Sequence, residues 1–84
     1  MPIIARFYGI IIKMYFIQSE HGIPHFHAIY NEFNAIFSID TLEMFEGDLP
    51  VRAQQLVKEW AHIHKKELVD MWNSQEFRKL PGLE

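Results

Sequence analysis

The chain has no cysteine among its 84 residues. That excludes a disulfide scaffold and a thiolate zinc site, and it fits a reducing compartment, so the expected location is the cytoplasm. Lys and Arg number eight against eleven Asp and Glu, for a net charge of −3. The only adjacent cations are Lys65-Lys66 and Arg78-Lys79. A phosphate backbone is held by clustered cations, so nucleic acid is a poor partner for this chain alone. The longest apolar run, Gly9 to Ile17, is broken by Lys13 and falls well short of the roughly 20 residues of a membrane helix. The opening Met1-Pro2-Ile3-Ile4-Ala5-Arg6 lacks the order of a signal peptide. A soluble protein is expected, with no membrane partner. There is no Gly-rich phosphate loop, no Ser or Cys nucleophile in an elbow, and no internal repeat.

What is present is apolar bulk. Hydrophobic residues make up 49% of the chain, and seven Phe, three Tyr and two Trp supply large buried area per residue. One domain over residues 1–84 is the natural division, and a chain of this size buries only about 60% of its unfolded surface. Oligomerisation would add to that, either with a second copy or with a small protein encoded nearby.

The first half has period 2. Ile3 to Phe7 and Ile10 to Ile17 read as strands around Tyr8-Gly9, with Ile10, Ile12, Met14 and Phe16 on one face of the second. Ile11, Tyr15 and Ile17 share its other face with Lys13, so this strand is apolar on both sides, as a strand covered twice or used at an interface would be. Gln18 to Pro24 is a loop, His25 to Tyr30 the third strand, Asn31-Glu32 a turn and Asn34 to Ile39 the fourth strand. A short edge strand falls around Leu42 to Phe45. Glu46-Gly47-Asp48-Leu49-Pro50 is a helix entry, with Gly turning the chain, an acid near the positive helix end and Pro in the first turn. From Val51 the period becomes 3.6, and Ala53, Leu56, Val57, Trp60, His64, Leu68, Met71 and Trp72 form one stripe of a helix reaching about Phe77, or of two helices broken between His62 and Lys66. Pro81-Gly82 ends it. The fold class is α+β: a three- to four-stranded antiparallel meander with a long C-terminal helix, or two shorter ones, packed on it.

Four polar residues do not fit a plain core. His25 and His27, two residues apart in Pro24-His25-Phe26-His27, leave the strand on the same face. On the helix, at 100° per residue, His64 lies about 40° from Trp60 and Glu67 about 20° on the other side, while His62 points outward. A core-facing Glu must be paired, and His64 and Glu67 are an i,i+3 pair. If the helix covers the face carrying His25 and His27, three imidazoles and a carboxylate converge. The bland reading is a satisfied polar pocket. Next come a zinc or non-haem iron site and a catalytic site in which a His acts as acid or base and Glu67 orients it. No cofactor beyond such a divalent metal is expected. Burial of the more apolar face, Phe26, Ala28 and Tyr30, would instead leave the His pair at an edge, a pocket mouth or a subunit interface. His21 reads as a solvent-exposed loop residue, and Asp40, Glu43, Glu46 and Asp48 as a solvated edge without the alternation of a calcium loop. Trp60, Trp72 and Tyr15 are the candidate interface anchors.

Pro24-His25-Phe26-His27 after a loop, Glu46-Gly47-Asp48-Leu49-Pro50 before a helix, and Glu59-Trp60 followed by His64, Glu67-Leu68 and Trp72 together resemble the small bacterial domain of unknown function 4160 family (DUF4160), over essentially the whole chain. The family's recurring polar positions match His25, His27, His64 and Glu67, whereas the His21-Gly22 loop departs from its pattern. The resemblance implies no established activity. It implies a compact protein often encoded beside a second small protein of unknown function, family 2442, as in a toxin-antitoxin or regulatory pair. Two functions follow as expectations. One is a protein-binding regulatory module, homodimeric or paired with a small partner. The alternative is a small hydrolase or ribonuclease using His25, His27, His64 and Glu67 through metal or acid-base chemistry; the present sequence leans away from an enzyme.

Overall fold

The structure is a computed structural model and describes residues 3–15 and 23–83. Five strands come first: β1 (Ile3–Phe7), β2 (Ile10–Lys13), β3 (His25–Tyr30), β4 (Phe33–Ser38) and β5 (Met44–Gly47). Two helices follow, α1 (Val51–Ile63) and α2 (Lys65–Ser74). The strands form one antiparallel sheet in sequence order, so the expected meander holds with five strands rather than three to four, the edge strand lying at Met44–Gly47 rather than Leu42 to Phe45. The fold is α+β.

Local chemistry sets the turns. Tyr8 and Gly9 both take positive φ, 50° and 80°, the backbone of a two-residue hairpin whose twist matches its strands. Gly47, at φ 87°, lies so close to β4 that an added Cβ would collide with the Asn34 carbonyl oxygen. Only glycine suits that place. Pro50 stands at the N-cap of α1, just before the first turn rather than inside it.

Both helices cover one face of the sheet. Ile10, Ile12, Met14, Phe26, Ala28, Ala35 and Phe37 point to that face and pack with Val57, Trp60, Ala61, Leu68 and Met71. The rings of Phe26 and Phe37 stack 5.4 Å apart, and Trp60 meets Phe26 at 6.0 Å and Phe7 at 5.6 Å. The helical stripe read from the sequence is thus the packed one, with Leu56 and Trp72 at its half-buried margin. Trp60 is no interface anchor, because it is fully buried within its own chain.

The helix breaks at His64, as the two-helix alternative had it, and α2 stops at Ser74 instead of running to Phe77. Gln75 caps it in the left-handed conformation, its N–H bonded to the Met71 carbonyl. Beyond it the chain turns back as a strap along β1. Leu80 N–H donates to the Ile4 carbonyl at 2.7 Å, and the Trp60 indole N–H to the Pro81 carbonyl at 2.8 Å. Pro81-Gly82 therefore does not end a helix but docks this strap over an otherwise unpaired sheet edge. Phe16 and Ile17, most of the 18–24 loop and His21 lie outside the described residues. No described helix is long and apolar enough to cross a membrane.

Candidate functional site

The face of the sheet away from the helices carries the His pair. Alternation along β3 sends Phe26 and Ala28 into the core and His25, His27 and Ile29 outward. The register aligns Lys13 of β2, His27 of β3, Ile36 of β4 and Glu46 of β5 in one row. A neighbouring row holds Ile11, Ile29 and Asn34. The aliphatic members of both rows are half-buried, and among the described residues no helix lies above them.

Aromatic rings gather around the imidazoles. His25 and His27 have ring centroids 5.3 Å apart, and Tyr15 meets His27 edge-on at 4.5 Å. Trp72 reaches His25 from α2, at 5.1 Å, and Phe45 stands 6.5 Å away. Phe45 is the extra residue of a bulge, since Phe37 pairs with Met44 and Ile36 with Glu46, and a bulge re-aims its side chain. The His25 ring is fixed by a 2.7 Å hydrogen bond from Nδ1 to the Ile23 carbonyl. A carbonyl only accepts, so Nδ1 carries the proton and, in the neutral ring, Nε2 holds the free lone pair. Burial lowers the His27 pKa below the ordinary imidazole value; His25 pushes the same way, Glu46 opposes, and Lys13 lowers it further.

His64 and Glu67 lie elsewhere. The His64 ring packs 5.2 Å from that of Trp60, on the helical side. Its Nδ1 stands 3.8 Å from a Glu67 oxygen, with side chains 12% and 38% exposed. The pair is part-buried and its members approach across one turn, as the helical count expects, without forming a hydrogen bond. Glu67 is also in the first turn of α2, where a carboxylate complements the helix dipole. His62 is exposed, as expected.

The convergence of all four polar residues, expected on the condition that the helix covers the His25 and His27 face, does not occur, because the helices cover the other face. Among the described residues no three His, Asp or Glu side chains are grouped to hold a metal ion. The four-residue metal or catalytic centre is therefore replaced by two separate pairs. Tyr15 and Trp72, the other interface candidates, both flank the His pair. Lys13 and Glu46 were legible only as a stray cation and part of an acidic run; cross-strand register made them neighbours of His27, and nothing in the sequence marked Phe45. Asp40, Glu43, Glu46 and Asp48 are all exposed, consistent with a solvated edge.

The model of a domain of unknown function, DUF4160, matches residues 9–73. The chain belongs to that family. The matched span holds β2 to β5, α1 and nearly all of α2, and so both polar pairs, whereas β1 and the strap lie outside it. The chain has no significant match among curated proteins or solved structures. DUF4160 membership brings no activity with it, and the functional reading rests on the site.

Proposed function

We propose that this DUF4160 domain is a protein-binding module that docks through the open face of its sheet, and that the occupant is a second copy of the chain. The observation that carries the reading is the row Lys13, His27, Ile36, Glu46, apolar or aromatic within and oppositely charged at its ends. Its ends are three strand spacings apart, about 14 Å. A two-fold axis parallel to the strands, through the middle of the row, lays each Lys13 over the other copy's Glu46. The result is an isologous face-to-face sandwich. The half-buried Ile11, Ile29 and Ile36 supply apolar area, and Phe45, half exposed, adds an aromatic rim. A small protein encoded nearby that covered the same face would compete with self-association, which is the behaviour of a regulatory component in a toxin-antitoxin-like pair.

Sizing by sedimentation equilibrium at low salt tests this. The wild type sediments as a dimer, while K13E and E46K, each of which sets like charges together twice, raise the dissociation constant at least tenfold. An equimolar mixture of the two variants regains the dimer, because each then meets its opposite. A wild type that stays monomeric, or variants that associate as it does, overturns the reading.

A further inference from the structure

The two imidazoles on the open face stand side by side, with ring centroids 5.3 Å apart. We propose that His25 and His27 together bind one divalent transition ion of borderline softness, zinc or copper(II), with the remaining coordination positions open to water or to an incoming donor.

Three observations support the site. With metal–nitrogen bonds of about 2.0–2.1 Å, two imidazoles at a tetrahedral angle have ring centroids about 5 Å apart; His25 and His27 stand at 5.3 Å with their planes inclined by 63°. Second, the His25 Nδ1 bond to the Ile23 carbonyl is the arrangement that fixes the tautomer of a ligating His and raises the basicity of its other nitrogen. Third, the frame is held by the sheet: His27 is paired on both sides, with Lys13 and Ile36, and His25 on one, with Ser38, and Tyr15 and Trp72 wall the rings. Glu46 at one end of the His27 row offsets the charge of Lys13 at the other. Imidazole nitrogens select zinc, copper and nickel over magnesium and calcium, which prefer oxygen. Two protein ligands make an exchangeable site rather than a closed structural one. The His64 and Glu67 pair has no part in it.

The test is calorimetric titration of chelator-stripped full chain with zinc chloride, paired with copper(II) chloride followed by Trp72 fluorescence in the W60F chain. One ion binds per chain, His25→Ala and His27→Ala each weaken it at least tenfold, and His64→Ala leaves it unchanged. Copper quenches Trp72 in the W60F chain and does not when His25→Ala is added. Circular dichroism establishes that the variants are folded, and His25→Gln, which keeps the side chain's bulk, repeats the loss. No saturable binding, or binding in either the His25 or the His27 variant as tight as in the wild type, overturns the proposal. Both ligands come from one chain, but the proposed dimer would cover the His27 row, so the titrations are run at a chain concentration where sedimentation shows monomer, and absence of binding there overturns the proposal whatever the association state.

Discussion

His64 and Glu67 approach to 3.8 Å across one helical turn, yet the His64 Nδ1 is buried without a hydrogen-bond partner among the described residues. A buried polar atom left unsatisfied costs roughly 1–3 kcal/mol, and replacing such a group by an apolar one of similar shape is often neutral or stabilising. His64→Phe should therefore hold or raise stability by up to about 1 kcal/mol in urea unfolding, with the aromatic packing on Trp60 kept. A loss above about 2 kcal/mol would mean that the ring contributes a polar contact after all.

The strap depends on one indole. Trp60→Phe keeps the packing against Phe7 and Phe26 but removes the donor to the Pro81 carbonyl. The lost hydrogen bond costs about 1 kcal/mol, and the gap left by the smaller ring in this fully buried site adds to it. The loss should be accompanied by faster hydrogen exchange at the Leu80 amide, whose bond to Ile4 relies on the strap lying in place. Exchange unchanged at Leu80 would show that the strap is held without Trp60.

Gly47 has both a positive φ and no room for a methyl group. Gly47→Ala forces a side chain against the Asn34 carbonyl and Ala35 Cα, so the β5 pairing must shift. The expected loss is roughly 1–3 kcal/mol for the backbone conformation alone, with the clash added. Gly9→Ala meets only the edge of the Tyr30 ring, at 3.3 Å, and should cost less; thermal melts of the two variants make the comparison.

His27 gives the fold a pH dependence. Its folded pKa lies below the ordinary imidazole value, chiefly through burial, so the unfolded chain takes up its proton first. Stability from this residue is whole above the unfolded pKa and is lost as pH falls through the folded one. Between about pH 7 and 5, in the presence of a chelator, the wild type should lose more stability than His27→Gln. Parallel curves would remove His27 as the source.

Period alone determined much of this molecule. Alternation over His25 to Tyr30 set the third strand and both of its faces, and the 3.6-residue stripe placed Trp60, His64, Leu68 and Met71 inward, because these patterns are properties of a single element. Glycine at position 47 was legible as a special backbone position, but as a turn into the helix, whereas it is the last residue of β5, with positive φ against β4. The sequence could not choose which sheet face the helices cover, since β2 is apolar on both sides and either face could bury aliphatic area. That choice was made by the large rings: Phe26, Phe37 and Trp60 interlock on one side, a matter of shape between residues far apart in the chain. With it went the separation of His25 and His27 from His64 and Glu67, the meeting of His25 with Trp72 and the docking of Pro81 on Trp60, all long-range contacts that no local pattern encodes.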